Sequence, residues 1–131
     1  MANWLCGMPV TIPANGSLSS AETVWFQGIR VSDVDIVDPT YSGIMFQTNY
    51  VGGQPQFPVQ DTVFTNISIT GAQRSGDAFD AKSGFGLWAN ELPEPGQGPA
   101  VGSVTFNNLR MSNNAQNIRN TTSTFTVTIN P

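Results

Sequence analysis

At 131 residues the chain is about one domain long, and 39% of it is hydrophobic, enough for a core without covalent staples. It has no histidine and a single cysteine, Cys6, which excludes Ser-His-Asp and Cys-His catalysis, histidine metal or haem ligation, an intrachain disulfide and any cysteine-cluster metal site. Five basic against nine acidic residues, with only 11% charged, provide neither the clustered basic face that nucleic acid requires nor a polybasic membrane patch.

No apolar run approaches the ~20 residues of a membrane span. Residues Met1–Val10 lack both a basic n-region and a long apolar stretch, so no signal peptide is visible. Residues 1–23 read as an N-terminal cap or extension, with Trp4, Leu5, Cys6, Met8, Val10 and Ile12 as its apolar side chains.

From residue 24 onward the chain repeats itself. Phe26-Gln-Gly-Ile-Arg-Val31, Phe64-Thr-Asn-Ile-Ser-Ile69 and Phe106-Asn-Asn-Leu-Arg-Met111 share one pattern, their phenylalanines 38 and 42 residues apart. A second motif follows in each repeat, Gly43-Ile44, Gly86-Leu87 and Asn117-Ile118. Apolar residues alternate with a period of two, as in half-buried strands, and no window carries helical periodicity. The bends consist of Asn, Ser and Asp, and the segments Tyr50–Gln60 and Asn90–Gly102 read as loop excursions.

These features predict one all-β domain over 1–131, a short right-handed parallel β-helix (β-solenoid) of about three coils at 24–120 with two long loop excursions. Residues 121–131 form a C-terminal strand or cap. A propeller needs more blades, and a sandwich does not call for like strings three times over. Stacking ~4.8 Å apart would create ladders. The inward ladders are Phe26/Phe64/Phe106, Ile29/Ile67/Leu109, Val31/Ile69/Met111 and Ile44/Leu87/Ile118, with Gly28/Asn66/Asn108 at a bend. The outward ones are Gln27/Thr65/Asn107, Arg30/Ser68/Arg110 and Met45/Trp88/Arg119. Three coils span only ~14 Å, so the open ends call for caps or self-association.

Catalysis here would rest on carboxylates, since glycoside hydrolysis needs only two. Asp35, Asp77 and Asp80 are the candidates, with Asp33 and Asp38 nearby, although Asp beside Gly or Ser is more often a turn former. Read as calcium ligands, the same aspartates lack a repeated Gly/Asp nonapeptide, and neither a metal site nor a cofactor is expected. Trp25, Tyr41, Tyr50 and Trp88 are the candidate carbohydrate-binding residues, offering ring faces to sugars beside Asn, Gln and Asp; the alternatives are burial beneath a loop for Trp88 and covering by the N-terminal segment for Trp25. The Thr-x-Thr string at Thr124–Thr128 occurs on one strand only, too few for an ice-binding plane.

The segments Tyr41–Gln47, Ser75–Asn90, Pro95–Pro99 and Asn117–Thr122 resemble the bacterial α-1,3-glucanases and mycodextranases, glycoside hydrolase family 87. The resemblance covers roughly Ala21 to Asn130 and corresponds to the last coils of that family's catalytic β-helix. It implies an inverting endo-hydrolase lineage acting on α-1,3-linked glucan, and with the composition it implies a secreted location. The family's adjacent Asp-Asp pair has no counterpart here, so no catalytic residue is carried over. The expectation is a polysaccharide-binding module or a fragment, with an α-glucan as partner and neither nucleic acid nor membrane. The alternative is a structural, self-assembling β-solenoid module without enzymatic activity.

Overall fold

The computed structural model describes residues 25–73, 83–91 and 96–131, and among them every regular element is a strand. In chain order these are β1 (Arg30–Val37), β2 (Ile44–Phe46), β3 (Thr48–Val51), β4 (Gln54–Gln56), β5 (Val63–Thr70), β6 (Phe85–Ala89), β7 (Gln97–Gly98), β8 (Gly102–Ser112), β9 (Gln116–Asn120) and β10 (Phe125–Asn130). They build a four-stranded sheet of order β1-β5-β8-β10, a three-stranded sheet of order β2-β6-β9 and a third sheet of order β4-β3-β7. All pairings in the first two are parallel, and those in the third are antiparallel. The chain thus visits the first sheet, crosses to the second and returns to lay its next strand beside the last.

A repeated kink shapes the four-stranded sheet. Asp33, Asn66 and Asn108 are all left-handed, with φ of 57°, 56° and 58°. Each interrupts its strand between an inward residue and the inward residue three positions on. Phe64, Ile67 and Ile69 are therefore all buried, although strict alternation would send Phe64 and Ile67 to opposite faces. Asparagine and aspartate tolerate this region because their short polar side chains bond locally. Here they bond between strands: Asn66 Nδ2 donates to Asp33 Oδ1 at 2.6 Å, and Asn108 Nδ2 to Asn66 Oδ1 at 3.2 Å.

That kink corrects the first member of each expected ladder in the four-stranded sheet. The pairs Phe64–Phe106, Ile67–Leu109 and Ile69–Met111 stand in register as the repeats require. On the other side, however, Phe64 faces Val31, Ile67 faces Val34 and Ile69 faces Ile36. Phe26 pairs instead with Val59, five residues before Phe64. Aligning Phe26 with Phe64 would put Gly28 beside Asn66, where it has no side chain to accept the Asn66 amide. The segment Val31-Ser-Asp-Val-Asp-Ile36 supplies both the left-handed residue and the acceptor. Accordingly Ser32 and Asp35 take the outward places expected of Gln27 and Arg30.

The second motif keeps its expected register, Ile44–Leu87–Ile118 and Met45–Trp88–Arg119. Its glycines are set by space: a Cβ on Gly43 would lie 2.6 Å from the Gly86 carbonyl oxygen, and one on Gly86 would lie 2.7 Å from that of Asn117. Between the two parallel sheets, Phe46 meets Phe64 and Phe106 edge-on at 6.0 and 6.4 Å, while Phe64 stacks on Phe106 at 4.9 Å. Phe125 closes the cluster 5.0 Å from Phe46.

The loop excursions contain strands of their own. Gly52 and Gly53, both at positive φ, turn the chain between β3 and β4, a two-residue hairpin that the expectation of Asn/Ser/Asp bends passed over. β7, from the second excursion, pairs with β3 through Thr48–Gly98 and Asn49–Gln97.

Candidate functional site

The described aspartates lie on or beside the outer face of the four-stranded sheet. Asp35 is exposed on β1 and accepts a hydrogen bond from the Ser68 hydroxyl. Asp33 is bound to Asn66 as described, and Asp38 packs its carboxylate over Gly71, where an added Cβ would meet Oδ1 at 2.0 Å. Asp61, in the bend before β5, forms an exposed ion pair with Arg30 at 2.7 Å. Asp77 and Asp80 lie outside the described residues, so the structure gives no distance between them and Asp35. Among the described residues, no group of three or more His, Cys, Asp or Glu is arranged to hold a metal ion.

The aromatic candidates separate. Trp88 has the expected register beside Met45 and Arg119, but the expectation that it stands in solvent is corrected. Its relative exposure is 0%, and it forms a buried cluster with Met45 and Phe85, the Phe85 ring 5.6 Å away. The indole Nε1 donates to Glu91 Oε2 at 2.7 Å. Strand alternation gives the direction of a side chain, not what covers it.

Tyr50, on β3, is half-buried, lies against Gly98 and donates its hydroxyl to the Pro99 carbonyl at 2.9 Å. Burial pushes its phenol above the usual tyrosine value. Tyr41 is half-buried in the turn before β2, and its carbonyl accepts the Gly84 amide. Trp25 is 41% exposed, beside the bridge that joins Phe26 to Val59. These rings sit on different elements.

Glu91 carries a polar centre that the sequence reading missed. Besides the indole, it accepts Arg119 Nε at 2.7 Å, and Arg119 Nη2 approaches Oε1 to 2.5 Å. The guanidinium also lies 5.4 Å from the centre of the Phe85 ring. Burial pushes the carboxyl upward, but the Trp88 bond and Arg119 outweigh it and hold Glu91 below its ordinary range. The spacing Trp88-x-x-Glu91, with Arg119 in the Trp88 ladder, was the available signal.

The repeated parallel strands, the surface of amides and hydroxyls and the scattered aromatic rings fit a carbohydrate-active module. Residues 18–129 match the family described as alpha-1,3-glucanase catalytic domain D2, and the chain belongs to that family. Comparison with curated proteins and with solved structures returns no match.

Proposed function

We propose that the chain is a polysaccharide-contacting part of an α-1,3-glucan hydrolase rather than a catalyst by itself. One observation carries this reading: four of the five described carboxylates, all but Asp38, are engaged within the fold. Asp33 serves the kink, Asp35 binds Ser68, Asp61 pairs with Arg30, and Glu91 is clamped between Trp88 and Arg119. Hydrolysis needs a pair of carboxyls set across one sugar bond, one to give a proton and the other to activate water or attack, and these four are tied to separate partners.

In this reading the parallel sheets are faces of a short right-handed β-helix. They correspond to the last coils of a family 87 catalytic domain, in a secreted protein. Trp25, Tyr41 and Tyr50 are its candidate sugar contacts, and Trp88 is left to the interior.

The test is sedimentation of the purified chain with insoluble α-1,3-glucan, alongside release of reducing ends. The expected outcome is binding without release. Release that disappears in Asp80→Asn would show an intact hydrolytic centre and overturn the reading.

The exposure of Val37 and Ile129 favours a second reading, a self-assembling structural module. These residues lie on β1 and β10, the outermost strands of the four-stranded sheet, and are 64% and 45% exposed. Light scattering over a concentration series separates this reading from a monomeric binder.

A further inference from the structure

We infer that an uncharged strip built on Trp25, Gln27, Gln60, Ser103 and Thr126 is the contact surface for a neutral polysaccharide lying across the strands. The inference rests on the reading that the chain contacts glucan, and gives that contact a place.

Parallel bridges join Phe26 to Val59 and Val59 to Gly102, and Gly102 pairs with Phe125. Phe26 packs against the core, and Val59 and Phe125 belong to it. Trp25 before this row and Gln27, Gln60, Ser103 and Thr126 after it alternate with these inward residues, whereas Pro58, before Val59, is itself buried. Trp25, Gln27, Ser103 and Thr126 are exposed, and Gln60 is half-buried. Gln60 Nε2 donates to Gln27 Oε1 at 2.5 Å, so the two amides form one fixed unit. Ser103 and Thr126 are paired in register. Gln27, Gln60, Ser103 and Thr126 thus run across four neighbouring segments of chain, three interstrand steps of ~4.8 Å or ~14 Å in all.

The strip has the composition that a sugar needs and a charged ligand does not. An indole ring offers a flat apolar face to the C–H side of a pyranose, while amides and hydroxyls both donate to and accept from its hydroxyl groups. No member of the strip is charged. Arg30 and Asp61, at its border, neutralise each other through the 2.7 Å pair. Phe57 packs on the neighbour of the anchor, Phe26. It holds the left-handed region at φ 54°, which bulky side chains rarely adopt, and meets the Phe26 ring edge-on at 6.3 Å. Phe26 is the residue next to Trp25, so this contact fixes the backbone that carries the indole.

The experiment is sedimentation with insoluble α-1,3-glucan, comparing the parent chain with Trp25→Ala, Trp25→Phe, Thr126→Arg and, as a control on another part of the sheet, Ser32→Ala. Circular dichroism and thermal unfolding check that each variant is folded. Loss of the aromatic anchor is expected to weaken binding about tenfold. Trp25→Phe should retain part of the affinity, and Ser32→Ala all of it. Thr126→Arg obstructs the strip from solvent without touching the core, so it reports even where Trp25→Ala fails to fold; several-fold weakening is expected. A parent chain that binds glucan while Trp25→Ala and Thr126→Arg bind equally well overturns the strip and leaves the broader reading standing. A parent chain that does not bind overturns both. A concentration-dependent dimer that Trp25→Ala abolishes, without glucan binding, would make the strip a contact between copies and likewise overturn the inference.

Discussion

Glu91 sits where burial and partners pull in opposite directions, and the partners prevail. Its carboxyl in the folded chain is held below its ordinary unfolded value. The charged form therefore stabilises the fold fully above the unfolded pKa, and that contribution is lost as pH falls through the lower, folded value. With side-chain exposures of 18% for Glu91 and 35% for Arg119, the pair is partly shielded from solvent, and its bonds are charge-assisted. Glu91→Gln should cost about 1.5–3 kcal/mol at neutral pH, the range for hydrogen bonds to a charged group. It should also remove part of the acid dependence. Denaturant unfolding at neutral and acidic pH measures both, and equal losses at the two pH values would contradict the linkage.

A second prediction at this scale concerns two glycines with different constraints. A Cβ at Gly86 would lie 2.7 Å from the Asn117 carbonyl oxygen and 3.0 Å from Met111 Sδ, so Gly86→Ala forces backbone apart. The expected cost is ~1–3 kcal/mol, as for overpacked cores. Gly52 has φ of 57° but open space around it. Gly52→Asn, which keeps a residue tolerant of that conformation, should unfold close to the parent temperature. Comparable losses in the two variants would show that space at Gly86 does not limit the fold.

Among the elements, the row Asp33–Asn66–Asn108 places the greatest demand on its middle member. Asn66 donates to Asp33 and accepts from both Asn108 and Arg110 Nη1, the latter at 2.8 Å. Asn66→Ala loses these bonds and leaves an alanine in the left-handed region, which alone costs roughly 1–2 kcal/mol. It should destabilise more than Asn108→Ala, and Asn66→Gly should recover the backbone share but not the bonds. Thermal unfolding of the three variants gives the order.

The same row explains what the sequence could reveal. Ile67, Ile69, Leu109 and Met111 were legible because like residues recur at like spacing beside a kink. The first strand was not, because Phe26 resembles Phe64 while Val31 does its work; the deciding feature was a side chain able to accept the Asn66 amide. β7 was illegible for another reason. Two residues long, it forms a strand only because β3 lies beside it, a long-range pairing with no local pattern. Of the candidate site, ring type and uncharged setting could be read directly. The burial of Trp88 and the alignment of Gln27 with Gln60 depend on which segments become neighbours.

For the molecule as a whole, a parallel sheet whose outer strands carry exposed apolar residues is prone to add another strand. Among the described residues β10 pairs with β8 alone, and Ile129 stands exposed near its end. On β1, Val37 is in the same position at the opposite edge. If copies associate edge to edge, the apolar side chains gain burial and the outer strands gain backbone bonds, so both edges contribute to one contact. Ile129→Lys and Val37→Lys introduce charge at those edges without disturbing Phe46, Phe64, Phe106 or Phe125 in the interior. Each should lower the apparent mass in light scattering at high concentration, while thermal unfolding of dilute samples changes by less than ~0.5 kcal/mol, as is usual for surface substitutions. A parent chain that is monomeric at every concentration would sink the self-assembling reading and leave glucan binding as the function. An oligomer indifferent to both lysines would move the contact to another face, and the Trp25 strip would be the first to examine, since its loss in Trp25→Ala is read in the same experiment.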